Sequence, residues 1–327
     1  MFAMWPLLAA LGLGFVMIGT VVGSFLNVCI YRIPWQKSVI WPSSRCPRCF
    51  SGIAARDNIP ILSWIALRGE CRQCGLPIAV RYPLVEALVG LLFLGVYLVD
   101  VIAAPLGMWG QIPVFQLVVA TYHAVFLALL VVATFIDYDY QVIPRSITVI
   151  GIVVGIGLGT LFPQIRPEPM TATTHWQGFW VGVSGLVVGS VLVRGVRASA
   201  EIVLRFLRFF RLTQIEEGMG LGDIDLLAMI GAFMGWRAAI LTFFLAPFFG
   251  FVPAAWKLIK NLEKKWLGRG QLSIADHEMP FGPYLSMAAA TLLLVWPWIW
   301  RVWARNLFGE LYVIFWGMLG IYVDHPS

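Results

Sequence analysis

The sequence predicts an all-α polytopic membrane protein with about eight transmembrane helices and one small polar insertion. The 327 residues are 60% hydrophobic and only 12% charged, and the mean hydropathy is +0.83. Soluble globular domains carry about 25% charged residues, so an ordinary soluble domain is excluded. Apolar stretches of roughly 20 residues recur along the chain, as helices that cross a bilayer require. The net charge of +6 lies mostly in loops, which indicates membrane orientation rather than nucleic-acid binding.

Hydropathy divides the chain into four regions. Residues 1–31 form a first, uncleaved transmembrane helix, because no Lys or Arg precedes Arg32. Residues 32–81 form the polar insertion, residues 82–306 the main helical core, and residues 307–327 an apolar tail that either crosses the membrane or lies at its surface. After the first span, the predicted spans are 83–99, 114–136, 146–162, 177–193, 223–235, 239–256 and 282–300.

The distribution of basic residues predicts the orientation. The insertion holds eight Lys and Arg residues against Asp57 and Glu70, which places it in the cytoplasm and the N-terminus outside. Segment 100–113 has no basic residue and is predicted outside, as is loop 163–176. The arginine-rich segment 194–219 is predicted to form an interfacial amphipathic helix on anionic lipid.

Four of the five cysteines form two CxxC pairs in the insertion: Cys46 with Cys49, and Cys71 with Cys74. Four thiolates at this spacing suit a single tetrahedral Zn²⁺, as in zinc ribbons. Because all four ligand positions are then filled by protein, the ion is structural rather than catalytic. The alternative is two unliganded knuckles in a reduced loop. Cys29, inside the first span, is interpreted as a packed thiol.

Two acidic residues stand at the ends of apolar segments and are the candidate catalytic pair. Asp137 ends the third span, and Asp223 follows Gly220 and Gly222 at the start of the sixth. A carboxylate at membrane depth is costly and is therefore a functional candidate. Two carboxylates a few Å apart do not both ionise easily, so such a pair shares a proton and supplies both an acid and a base for peptide hydrolysis. Without further information, a structural polar pair or a proton relay explains them equally well.

Each acid also belongs to a D-x-D unit, with Asp139 and Asp225 as the second members. Residues two apart on a helix point about 200° apart, so only one acid of each unit aims at a given partner. We predict that Asp137 and Asp223 face each other, and that Asp139 and Asp225 are solvated at the headgroup level.

Several motifs together resemble those of the type IV prepilin leader peptidases, which are GxGD-type intramembrane aspartic proteases that also methylate their product. The resemblance covers most of the chain. It rests on Gly23-Ser24-Phe25-Leu26-Asn27-Val28, Tyr31-Arg32-Ile33-Pro34, the two CxxC pairs, Asn58-Ile59-Pro60, Leu67-Arg68-Gly69, Arg81-Tyr82-Pro83-Leu84-Val85-Glu86, Phe135-Ile136-Asp137, Ile143-Pro144, Gly220-Leu221-Gly222-Asp223, Gly235-Trp236 and Pro280-Phe281-Gly282-Pro283-Tyr284-Leu285.

The resemblance implies an enzyme of the bacterial inner membrane that acts on a pilin or pseudopilin precursor with a basic leader and a hydrophobic helix. It implies cleavage after a glycine at the cytoplasmic face by Asp137 and Asp223, and methylation of the new N-terminal residue, commonly Phe, with S-adenosylmethionine. The cysteines match the family's cytoplasmic zinc motif. Anionic lipid is expected to hold the basic leader, with Glu70, Glu216 and Glu217 as local partners.

One position departs from the family pattern, and two other functional classes remain open. The family often has Lys two residues after the second catalytic Asp, where this chain has Asp225. A metal-dependent membrane transferase that uses the D-x-D acids is one alternative. A proton-coupled transporter is the other, although the short outside loops do not favour it. No Gly-rich dinucleotide-type loop marks a cofactor site, so the residues that bind S-adenosylmethionine are not predicted.

Overall fold

The computed structural model describes residues 5–103, 114–167, 174–209, 220–266 and 280–318. Within them the fold is helical, and the only β pairing consists of two isolated bridges in the insertion. The helices are α1 (Trp5–Arg32), α2 (Leu62–Ala66), α3 (Arg81–Tyr97), α4 (Val114–Tyr140), α5 (Arg145–Leu161), α6 (His175–Phe209), α7 (Leu221–Met234), α8 (Trp236–Trp266), α9 (Gly282–Ile299) and α10 (Arg305–Met318).

A helix stands at each of the eight predicted spans, and six helical segments of the described chain are long and apolar enough to cross a membrane. The other two, α5 and α7, have 17 and 14 residues. The all-helical membrane fold is therefore confirmed, whereas the number of crossings stays a prediction. The predicted interfacial helix at 194–219 is not a separate helix in its first part, because α6 continues through residues 194–209. Residues 210–219 lie outside the described residues.

Helix α7 lies at the centre of the bundle. It contacts α5, α6, α8 and α9, and its residues from Leu226 to Met234 are buried on every face. Helices without polar side chains approach closely in membranes through small residues. Here Gly185 of α6 and Gly231 of α7 place their backbones in direct contact, so a Cβ on either glycine would collide with the other helix. Close packing thus helps to hold the α7 segment in one position.

A second group of helices carries the insertion. Helix α1 packs along α3 and touches α4. Gly19 of α1 lies against Gly90 of α3, and Gly23 lies against the backbone of Glu86. These small residues form a helix-packing surface on α1, as is common between membrane helices.

A buried arginine, Arg166, binds the C-terminal end of α7. The sequence predicts that this residue lies in the outside loop 163–176. Arg166 is only 4% exposed. Its guanidinium donates to the carbonyl oxygens of Gly155 and Gly159 in α5, Gly178 in α6 and Ala232 in α7. Arginine has five N–H donors in a rigid fork, and the last carbonyls of a helix have no intrahelical partner. Arg166 therefore joins three helices, and two of its acceptors, the carbonyls of Gly159 and Ala232, lie in the last turns of α5 and α7, where the helix supplies no donor.

Replacing Arg166 by alanine is expected to lower the free energy of unfolding by about 3 kcal/mol, because several buried carbonyl groups would lose their donors. Thermal unfolding in detergent micelles measures this loss. The matched control is Arg197→Ala, because Arg197 is part of an exposed pair with Glu201 on the same helix α6. Such a pair contributes about 0.3–0.5 kcal/mol. Equal effects of the two substitutions would contradict the clamp.

Candidate active site and metal centre

Asp137 lies near the end of α4, one turn before the chain leaves the helix. The side chain is buried, with 6% of the residue exposed. Helix α4 ends at Tyr140, and Gln141 takes a positive φ of 54° before Pro144 precedes α5. Proline at the start of a helix is favoured because its missing N–H would have no helical acceptor there. This tight turn keeps Ile143 beside the C-terminal end of α4.

Asp223 occupies the third position of α7 and is also 6% exposed. Gly220 caps the helix with extended backbone, and its amide donates to the Asp223 carboxylate. An acid at this position that reaches back to the capping amide is half of a capping box. The helix dipole further favours a negative charge in the first turn. A Cβ on Gly222 would collide with Ile143, so the second glycine of the motif permits the turn after α4 to approach α7.

The fold brings these two acids together at the junction of α4, α7 and α9. The Asp137 carboxylate is close enough to Asp223 for electrostatic repulsion between their charged forms. Gly282, the first residue of α9, lies directly against the Asp137 carboxylate, and the Oδ2 atom of Asp137 has no well-aligned hydrogen-bond partner among the described residues. A buried pair with an unsatisfied oxygen is suited to bind water and to exchange protons with it.

The second members of the two D-x-D units have different partners. Asp139 accepts two hydrogen bonds from Arg81, at 2.9 and 2.6 Å, and Arg81 also lies over the ring of Phe135. Asp225 forms an ion pair with Arg145 at 3.4 Å. Asp139 thus ties the start of α3 to the end of α4. Asp225, at the position where the resembled family often has Lys, is partly neutralised by a cation from α5.

Gly282→Ala is expected to reduce any activity that depends on Asp137, because the added methyl group would collide with the carboxylate. Displacement of a reacting group by about 1 Å costs up to about 10²-fold in rate. The measurement is the initial rate of proteolysis at matched protein amounts. Gly157→Ala is the control, since a Cβ on Gly157 would meet nothing within 4 Å. A normal rate for Gly282→Ala would show that Asp137 does not need this close contact.

The four cysteines of the insertion converge on one point. Their sulfur atoms all lie within 4.8 Å of one another, and the Sγ atoms of Cys46 and Cys74 are 3.7 Å apart. A tetrahedral zinc with bonds of about 2.3 Å to sulfur holds its ligands about 3.8 Å apart. The donor set therefore fits Zn²⁺. Within the described residues this is the sole group of His, Cys, Asp or Glu side chains arranged to hold a metal ion.

The two CxxC loops have the same backbone structure. The Phe50 amide bonds to the Cys46 carbonyl at 3.0 Å, and the Gly75 amide bonds to the Cys71 carbonyl at 2.9 Å. Each loop is closed by an isolated antiparallel bridge, Arg45 to Gly52 and Glu70 to Pro77. Two equivalent loops that face each other give four ligands without further rearrangement. Hydrogen bonding by Ser51 lowers the pKa of the Cys49 thiol to about 6, which favours its thiolate, whereas burial and hydrogen bonds with the other cysteines raise the pKa of the Cys74 thiol to about 11.

The metal-binding insertion, called the metal module here, is seated on the helices by buried polar contacts. Glu86 of α3 is 8% exposed and accepts the Ile61 amide at 2.7 Å. Asn27 of α1 donates to the Tyr82 carbonyl at 3.1 Å. Within the module, Arg72 forms a two-point ion pair with Asp57 and lowers the pKa of that carboxyl. Glu86 was part of a sequence motif, but only the fold shows which amide it holds.

Some predicted partners of the substrate fall outside what the structure describes. Glu216 and Glu217 lie in the segment 210–219, which is not described. Glu70 is an exposed residue of the metal module.

Comparison with known families agrees with this architecture. The Bacterial Peptidase A24 N-terminal domain matches residues 17–99, which include the metal module, and the Type IV leader peptidase family matches residues 124–255, which include both acids. The chain belongs to the type IV leader peptidase family. The resemblance deduced from the sequence motifs is thereby confirmed.

Curated relatives cover nearly the whole chain. A prepilin leader peptidase/N-methyltransferase of Myxococcus xanthus (strain DK1622) is 33% identical in an alignment of 338 positions that covers 87% of this chain and 90% of the relative. Proteins of the same name from Aeromonas hydrophila and Pseudomonas putida are 32% and 30% identical, over 84% and 90% of this chain and 87% and 91% of their own. No solved structure matches the chain.

Proposed function

We propose that this protein removes the leader from type IV pilin-like precursors and methylates the amine of the residue that cleavage exposes. The observation that carries the proposal is the buried pair Asp137 and Asp223 at the junction of α4, α7 and α9. Family membership and the names of the relatives support the same reaction. The rival assignment of the D-x-D acids to a metal is disfavoured, because Asp139 and Asp225 pair with arginines.

The pair performs hydrolysis as a coupled acid and base. One carboxylate accepts a proton from a water molecule as the water oxygen attacks the scissile carbonyl carbon. The other, protonated, carboxyl group donates its proton to the carbonyl oxygen, and the tetrahedral adduct then breaks with protonation of the leaving amine. Gly222 and Gly282 let Ile143 and the Asp137 carboxylate approach α7 and α9 closely, which keeps the two acids in place at the junction.

The metal module serves the second activity in this proposal. Cys46, Cys49, Cys71 and Cys74 would hold a structural Zn²⁺, and the ion would supply folding energy to an insertion with few buried apolar residues. S-adenosylmethionine would supply the methyl group. Both sites would face the cytoplasm with the N-terminus of α1 outside, and anionic lipid would attract the basic leader of the precursor.

Co-expression with a pilin-type precursor in cells that lack prepilin peptidase tests the proposal. Leader removal is read from the size of the precursor, and methylation from the mass of the N-terminal peptide. We expect both changes with the intact protein and neither with an empty vector. A precursor that keeps its leader beside a well-expressed, membrane-inserted protein would overturn the proposed function.

A further inference from the structure

A groove of about 320 Å³ separates one face of α1 from two stretches of the metal module. It lies outside the aspartate junction, and neither the proteolytic step nor the metal site uses it. Its α1 side is Val21, Ser24, Phe25, Val28 and Arg32, and its module side is Val39, Ile40, Pro42, Ser43, Ser44, Asn58 and Pro60.

The groove changes in character along its length. Along α1 the wall is mostly apolar. Val21 is 59% exposed there and Phe25 is 50% exposed. At the end of α1 it becomes mixed, with hydroxyl and amide groups from Ser43, Ser44 and Asn58. An occupant that satisfies both ends has an apolar part that runs beside a transmembrane helix and a polar end next to the metal module.

The wall on the module side is fixed rather than loosely placed. Arg32 donates to the Ser38 carbonyl at 3.0 Å and to the Pro42 carbonyl at 2.7 Å, so the end of α1 holds the loop that covers the groove. The opposite face of α1 is occupied by α3, through Gly23 and Asn27. The groove is therefore a surface beside α1 that the side chains of the described residues do not fill.

Two contacts place this corner next to the end of α4, which carries Asp137. Trp35, in the loop between α1 and the groove wall, meets Tyr140 edge-on with ring centroids 6.0 Å apart. Arg81, where the metal module ends, binds Asp139. A peptide cut at the aspartate pair would thus have its new N-terminus beside the metal module.

We propose that this groove is the methyl-acceptor site, which holds the first residue of the cleaved product together with the start of its hydrophobic helix. The proposal rests on the proposed function. An apolar N-terminal side chain would contact Phe25, Val28 and Ile40, the helix would continue along α1 towards Val21, and the α-amine would lie among Ser43, Ser44 and Asn58. This occupant has the required polarity: an apolar segment with one polar terminus at the height of the module.

S-adenosylmethionine is the methyl donor for the reaction proposed at this site. The deprotonated α-amine attacks the methyl carbon, the carbon–sulfur bond breaks with its electrons on sulfur, and the additional amine proton passes to water. The products are the N-methylated peptide and the neutral thioether. The role of the groove is to orient the amine and to keep its apolar neighbours out of water.

Filling the groove with Val28→Trp tests the proposal, and Leu13→Trp is the matched control. Leu13 is 61% exposed on the same helix and does not line the groove. We expect Val28→Trp to keep leader cleavage close to the wild-type rate and to lower the methylation rate of a pre-cleaved product by about 10²-fold, since misplacement of a reactant has effects of that size. Binding of labelled S-adenosylmethionine should be unchanged, and Leu13→Trp should behave like wild type.

A photoreactive amino acid at position 24 gives a second test that does not require turnover. It should crosslink to the N-terminal residues of the cleaved product, whereas the same group at position 13 should not. Equal methylation by the two tryptophan variants, loss of methyl-donor binding in Val28→Trp, or crosslinks at position 24 to lipid alone would each overturn the acceptor assignment. A wild-type protein that neither cleaves nor methylates would instead overturn the proposed function together with this inference.

Discussion

Asp137→Asn and Asp223→Asn are each expected to lower leader cleavage by at least about 10²–10⁴-fold, the range that a positioned acid or base contributes. Asparagine keeps the shape of the side chain but neither accepts the proton of the attacking water nor donates one to the carbonyl oxygen. Because both acids are buried at one junction and interact electrostatically, either substitution disables the same proton-sharing unit. The measurement is the initial rate of precursor cleavage in detergent or reconstituted membranes.

Asp139→Asn and Asp225→Asn are the matched controls, because they make the same chemical change two residues away. Their side chains are bound to Arg81 and Arg145 rather than placed at the junction. Partly exposed ion pairs of this kind contribute about 0.2–1 kcal/mol, so we expect only a small loss of rate. Methylation of a pre-cleaved product should survive in all four variants. Activity retained in Asp223→Asn but lost in Asp225→Asn would show that the wrong acid of the unit has been assigned.

Replacing Cys46 and Cys74 together by serine is expected to remove the zinc proposed for the four-cysteine site and to abolish methylation. Structural zinc contributes about 10–16 kcal/mol of apparent binding free energy in small zinc-binding peptides at neutral pH, and the metal module has little else to hold its two loops together. Leader cleavage should fall much less, because the hydrophobic core around the helices that carry Asp137 and Asp223 does not include the four cysteines of the metal module. Metal content by mass spectrometry and protease sensitivity of residues 35–81 report the two losses.

The control for this experiment is Cys29→Ala. Cys29 is a buried thiol within α1 and lies in an apolar cluster with residues of α3 and α4, away from the four converging sulfurs. The variant should keep its zinc and its methylation. A double cysteine variant that retains a full equivalent of zinc would rule out the four-cysteine site.

Much of the architecture could be predicted from the amino-acid sequence. Long apolar runs predicted the helices because hydrocarbon leaves the backbone no partner other than itself. The CxxC spacing predicted that four sulfurs meet, and the coordinates place them within 4.8 Å. The position of Asp137 and Asp223 near the same end of the bundle also followed, since basic and non-basic loops alternate along the chain. Their catalytic role stays a prediction until the variants above are measured.

Other features depended on contacts between residues that are distant in the chain. Arg166 was predicted to lie in the outside loop 163–176; its inward direction follows from carbonyl groups on three different helices. Asp225 was predicted to be solvated at the headgroup level, and its side chain is 33% exposed; its ion pair with Arg145, eighty residues earlier, was not predicted. Neither partner is visible in the local pattern.

The amino-acid order was sufficient to predict the membrane class, the convergence of the four cysteines and the two candidate acids. These properties are set by local chemistry: hydropathy over one helix length, thiols at a fixed spacing, and carboxylates where hydrocarbon makes them costly. Packing was required to seat Gly282 against Asp137, to turn Arg166 inward and to leave a groove between α1 and the metal module. These depend on which helix faces meet, and that is settled by the close fit of small residues across the whole bundle rather than by any one segment.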